Sequence, residues 1–216
     1  MEDKIEKSLK FYLMATKLKY KIRSGWAKDG WNIKKERIES IAEHVYGVII
    51  LAISLDSEFD FNIDLNKVIK MLALHEIGET IIGDITPFDG INITDKNIME
   101  HKAWSILLDG LVKKEEIYNL LMEFDECITN ESRFAYLCDK LEADIQSKIY
   151  QDMGVQRELT DQENNKCFKY ERIQNILNNG AKTAFDVWYQ NDIEKFENDL
   201  IFKKILNYVK DNNMNI

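Results

Sequence analysis

Apolar side chains recur every three to four positions along almost the whole chain, the spacing of one buried helix face. Residues 2–22 read as a first helix, with Ile5, Leu9, Tyr12, Thr16 and Lys19 down one side. The stretch RSGWAKDGWNIKKER, 23–37, breaks the period with two glycines and two tryptophans and reads as a loop. SIAE, 40–43, has the form of a capping box: Ser40 accepts from the third helical amide while Glu43 reaches back to the cap. A helix therefore starts at Ile41 and runs to about Leu55, with His44 in its first or second turn. The next helix is predicted from Asp64 to Ile82, stopped by Gly83. DITPFDG follows as a loop in which Pro87 holds Thr86 extended. Thr94 or Asp95 caps a helix through Leu111, and further helices are predicted over 113–127, 131–153, 161–178 and 182–210.

Composition points the same way. With 9 glycines and 1 proline in 216 residues, the turn residues that antiparallel sheets need are scarce. The expected fold class is all-α, a single compact helical bundle over 1–216. The helices of about 155–216 carry no chemical signature and are expected to pack on the core or on a partner chain. No apolar stretch is long enough to span a bilayer, and the start is charged from residue 2, unlike a signal peptide. A cytoplasmic location is expected. Cys127, Cys138 and Cys167 lack a CxxC spacing and read as reduced, structural residues. The net charge of −9 argues against a grip on a nucleic-acid polymer. An anionic substrate would need a metal or a few local cations to reverse the field.

The candidate chemistry sits in LALHEIGETIIGDITPFDG, 72–90. On a helix His75 stacks on Glu79, and Glu76 neighbours Glu79, so all three converge on one point. Burying two carboxylates together without a cation is costly, and a divalent ion removes that cost. Imidazole with carboxylate suits zinc, manganese, iron or cobalt rather than calcium. His44 is a candidate third donor. RFAYLCDKLEADIQSKIY, 133–150, offers Asp139 beside its apolar stripe and, as the weaker alternative beyond Leu141, Asp144. The HExxH zinc motif is absent, because position 79 is glutamate where the second histidine would stand. His101, in MEHKAW, reads as a surface or packing residue, and Trp31, Trp104 and Trp188 as core or interface aromatics.

The order RxESIAEH, then HEIGExxxGDITP, then LxDKLE resembles the HD-domain metal-dependent phosphohydrolases, most of all their 5′-deoxynucleotidase branch. The resemblance covers about 10–150 and implies an HD-domain helical bundle. It implies that His44, His75, Glu76 and Asp139 hold one divalent metal ion, with cobalt, manganese, zinc, iron and magnesium as candidates. Glu79 matches the family's catalytic carboxylate. Arg23, in IRSGW, matches an arginine that orients the phosphate, with Trp26 in the same wall and Arg37 a second cation nearby. Asp84, Ile85, Thr86 and Pro87 match the part that holds the sugar and base. His44, Glu76 and Asp139 would face the substrate as well as the ion. The family's aspartate is Glu76 here, one methylene longer, so the ion or the helix must shift by about an ångström.

The activity implied is hydrolysis of phosphate from nucleoside 5′-monophosphates, deoxy forms above all. The alternatives are an HD hydrolase of a signalling nucleotide or a nucleoside triphosphate, and a non-catalytic metal-stabilised binding protein. The implied partners are a small-molecule nucleotide and, from family likeness and aromatic-rich helices, a second copy of the chain. Neither a nucleic-acid polymer nor a membrane is expected.

Overall fold

The computed structural model describes residues 1–214, so the last two positions of the expected C-terminal region, 155–216, lie outside the described residues. Among the described residues there is no strand, only an isolated bridge between Ile22 and Ser40, and the all-α expectation holds. No helix among them is long and apolar enough to cross a membrane. The chain divides into two compact units, one made of 1–22 with 39–136 and the other of 23–38 with 137–216.

The first unit contains α1 (Glu2–Ala15), α2 (Ile41–Glu58), α3 (Leu65–Leu74), α4 (Glu79–Ile82), α5 (Ile93–Leu107), α6 (Lys114–Glu126) and the start of α7 (Asn130–Asp152). The predicted capping box is present: Ser40 Oγ accepts from the Glu43 amide at 3.3 Å, and Glu43 accepts from the Ser40 amide at 2.8 Å. Asp64 caps α3 by accepting from the amides of Asn66 and Lys67. Asn92, rather than Thr94 or Asp95, caps α5.

Two helices are shorter than the periodicity predicts. α1 stops at Ala15, continues as a 3-10 turn over Thr16–Tyr20, and becomes extended at Lys21. Its inward face is also not the predicted one. Ile5, Leu9 and Tyr12 are each more than half exposed, whereas Phe11, Met14 and Ala15 pack on Ile77, Trp104, Leu107, Leu108 and Leu121. Both faces of α1 are apolar, so spacing alone could not choose between them. The helix predicted over 64–82 is interrupted at 75–78, where the amides of Ile77, Glu79 and Thr80 bond three residues back instead of four.

The second unit holds the rest of α7, then α8 (Glu171–Asn178), α9 (Ala184–Asp192), α10 (Leu200–Asp211) and the loop 23–38. The helix predicted over 161–178 survives only as α8. Upstream, Gln162 and Asn165 are buried, Gln162 donates to the Trp31 carbonyl, and Asn165 donates to Gln162. The helix predicted over 182–210 is two, α9 and α10. A 3-10 turn over Ile193–Phe196 separates them, and Asp199 caps the second through the amides of Ile201 and Phe202.

The loop 23–38 is folded into this unit by its aromatics. Trp26 is 1% exposed, with Tyr150 and Trp188 against its ring at 5.3 and 5.0 Å. Trp31 packs on Phe168 and Trp188. The turn joining them needs a glycine: a Cβ on Gly30 would stand 2.2 Å from the Gly25 carbonyl oxygen, while one on Gly25 would meet nothing within 4 Å. Gly30→Ala should therefore destabilise the protein by about 2 kcal/mol or more, as overpacking against backbone does. Gly25→Ala should change stability far less, and urea denaturation of the two variants checks the contrast.

Candidate metal centre

Three donors come together in the first unit. The capping box fixes where α2 begins, and His44, one turn in, is fully buried. His75 and Glu76 open the turn at 75–78. The His75 Nδ1 lies 2.7 Å from the Leu72 carbonyl oxygen. A carbonyl only accepts, so Nδ1 carries the proton and the neutral ring presents a lone pair at Nε2. Phe124 lies against the His75 ring at 5.3 Å, and the His44 and His75 rings meet edge to face at 5.7 Å.

Glu76 Oε1 lies 3.5 Å from His75 Nε2 and 3.7 Å from His44 Nε2. These separations are too long for hydrogen bonds. Two ligands each about 2.1 Å from a shared ion stand about 3.0–3.4 Å apart at octahedral or tetrahedral angles. A small contraction around a cation would bring the three into that range, so the donor set fits a divalent transition ion.

Gly78 lets α5 lie close to the turn at 75–78: a Cβ there would stand 3.0 Å from Trp104 Nε1 and 3.6 Å from Glu100 Cγ, so the indole would have to give by a few tenths of an ångström. Glu79 starts α4 and is 3% exposed, which removes the reading of a solvated helix residue. α4 ends at Gly83, whose φ of 84° is in the left-handed region that glycine tolerates. Asp84 and Thr86 are half-buried, Ile85 is buried and Pro87 is exposed. Thr86 gives both its amide and its hydroxyl to Asp89 Oδ2 at 2.7 Å, and the Asp89 amide returns to the Thr86 carbonyl. Asp89 closes the loop and was not among the predicted residues; a carboxylate three residues beyond a threonine was the available signal.

Glu100 was missed as well. Burial pushes its carboxyl up, Lys96 pulls it back, and Glu76 and Asp125 add to the rise. His101 proves a packing residue, with Nε2 at 2.9 Å from Asp125 and its ring against Trp104.

The remaining predicted residues belong to the second unit. Asp139 lies on α7, is 7% exposed, and has Lys140 Nζ at 2.8 Å from its Oδ2. Arg23 is half-buried and Arg37 exposed. Trp26 is buried in the aromatic core described above, with Tyr150 edge-on to its indole and Trp188 tilted against it.

A model of the HD domain matches residues 15–184. The chain belongs to the HD-domain family. Among curated proteins it is similar to the 5′-deoxynucleotidase HDDC2 of Dictyostelium discoideum, 34% identical over 69% of this chain and 80% of that one. It is also similar to the 5′-deoxynucleotidase hdd1 of Schizosaccharomyces pombe, 31% identical over 63% of this chain and 68% of that one. The fold is shared with a conserved hypothetical protein from Pyrococcus furiosus, 24% identical with a TM-score of 0.67 over 94% of this chain and 99% of that one. A predicted metal-dependent phosphohydrolase from Magnetospirillum magnetotacticum is 21% identical, with a TM-score of 0.67 over 97% of this chain and 92% of that one.

Adding manganese, cobalt or zinc to chelator-treated protein should stabilise it by about 2.7 kcal/mol at a hundredfold excess over Kd. His75→Ala should abolish most of that gain in a thermal-shift titration.

Proposed function

We propose that the protein is a metal-dependent hydrolase of nucleoside 5′-monophosphates, with 2′-deoxyribonucleotides its preferred substrates. The observation that carries this reading is the convergence of His44, His75 and Glu76 on one point beside a buried Glu79. Membership of the HD-domain family and likeness to curated 5′-deoxynucleotidases support it. The family match runs through segments of both units, which supports reading 1–216 as one functional domain.

In this reading His44, His75, Glu76 and Asp139 hold one divalent ion, a set of two nitrogens and two carboxylates suited to manganese, iron, cobalt or zinc. When bound, such an ion supplies Lewis-acid polarisation and a more acidic water. Leu72 holds the His75 ring so that Nε2 faces inward. Lys140 Nζ lies 2.8 Å from Asp139 Oδ2 and steadies that carboxylate. Glu79, protected from bulk solvent, orients the attacking water and accepts its proton. Arg23 binds the phosphate through two parallel N–H bonds, which lysine cannot copy, and Arg37 adds positive charge. Asp84 accepts from the sugar 3′-hydroxyl. Ile85, Thr86 and Pro87 shape the sugar's side of the site, their loop stiffened by the Thr86–Asp89 closure.

The three cysteines are free thiols, and burial pushes Cys138 well up and Cys167 to about 12. Such inert thiols support a reducing compartment, here the cytoplasm. The outward stripe of α1, Ile5, Leu9, Tyr12 and Leu13, supports a homodimer. Leu9→Glu should convert the dimer to a monomer by light scattering, and a wild-type monomer at micromolar concentration would rule this assembly out.

A phosphate-release screen with each candidate metal tests the activity. Turnover of several deoxynucleoside 5′-monophosphates is expected. Activity confined to a polyphosphate, or metal binding without turnover, would overturn it. Glu79→Gln should lower kcat by about a hundredfold or more while leaving the metal-induced thermal shift in place.

A further inference from the structure

Asp144 carries chemistry that the proposed reaction does not use. It lies on α7, is 0% exposed, and neither of its carboxyl oxygens has a hydrogen-bond donor. An ionised carboxylate in such a place loses its hydration and gains nothing in return, while a neutral acid loses far less.

The charged neighbours do not rescue the ion. Asp192, at the end of α9 and only 3% exposed, opposes a negative charge on Asp144. Lys195, from the turn after α9, and Lys140, on α7 itself, favour one. Each of those lysines already serves another carboxylate: Lys195 Nζ is 2.7 Å from Asp192 Oδ2, and Lys140 Nζ is 2.8 Å from Asp139 Oδ2. Lys148, four residues along α7, is held by Asp152 at 2.5 Å. A metal ion fits poorly, because Asn191 and Lys195 already donate to both oxygens of Asp192 and leave Asp144 as a lone ligand. The cation that fits the space beside Asp144 is a proton.

We propose that Asp144 is retained as a neutral acid in the folded protein, and that its ionisation at raised pH is a built-in release of the packing between α7 and α9. Those helices meet where Lys148 lies over the Phe185 ring and where Asp144 faces Asp192. Burial first, and Asp192 second, push the Asp144 carboxyl well above the usual carboxylate range. In the unfolded chain the same group ionises near the ordinary aspartate value, about 3.9. Between those two values the folded state binds more protons than the unfolded one. The stabilisation is therefore complete below the ordinary value and is lost as pH rises through the folded one. Asp144→Asn keeps the shape and removes the ionisation.

The test is urea denaturation of the full chain and of Asp144→Asn between about pH 5 and pH 9, at constant metal load, so that other titrating groups cancel in the comparison. The wild-type midpoint should fall relative to the variant as pH rises, with the variant the more stable at the alkaline end. Parallel midpoint curves would overturn the proposal. Infrared spectra of wild-type protein labelled with 13C-carboxyl aspartate give a second readout that does not depend on the variant folding. A protonated aspartate band at neutral pH is expected, and its absence would overturn the proposal.

Discussion

The hydrogen bond between the His75 ring and the Leu72 carbonyl is the contact on which the metal centre depends. It fixes the tautomer, aims the second ring nitrogen inward, and coincides with the place where the chain leaves helical geometry. In the turn at 75–78, Glu76 Oε1 lies 3.5 and 3.7 Å from the two imidazoles, and Glu79 restarts a short helix from a buried position. Gly78 lies close under the indole of Trp104, which a side chain there would have to displace by a few tenths of an ångström.

The electrostatics answer the question raised by an acidic chain. Carboxylates are concentrated around the centre in the first unit: Glu76, Glu79 and Glu100. Such a group is expensive without positive charge, and the cost is what makes cation affinity large. A divalent ion would offset two of those negative charges and so lower the barrier to an anion in a protein of net charge −9.

How much of this was legible in the sequence depends on range. Local signals were read correctly: the Ser40–Glu43 box, the start of α2 and the helical class all follow from neighbours within four residues. Breaks inside periodic stretches were not, at 75–78 and 193–196, because 3-10 turns keep apolar residues at nearly helical spacing. The inward face of α1 was misread because Ile5, Leu9 and Tyr12 make as good a stripe as Phe11, Met14 and Ala15, and only packing decides. The packing of Trp26 was not legible either, because its partners, Tyr150 and Trp188, lie far along the chain. Asp144 looked like a lesser ligand, and nothing in its neighbours announced complete burial.

The chain passes from one unit to the other at 22–23, 38–39 and 136–137. During synthesis the loop holding Trp26 and Trp31 emerges early, but Tyr150, Phe168 and Trp188, which cover those indoles, are made more than a hundred residues later. A nascent chain must therefore carry two uncovered aromatic surfaces through most of its elongation. Cellular yield of this protein should depend on chaperone capacity more than its modest size suggests, and fragments ending before α7 is complete should be insoluble.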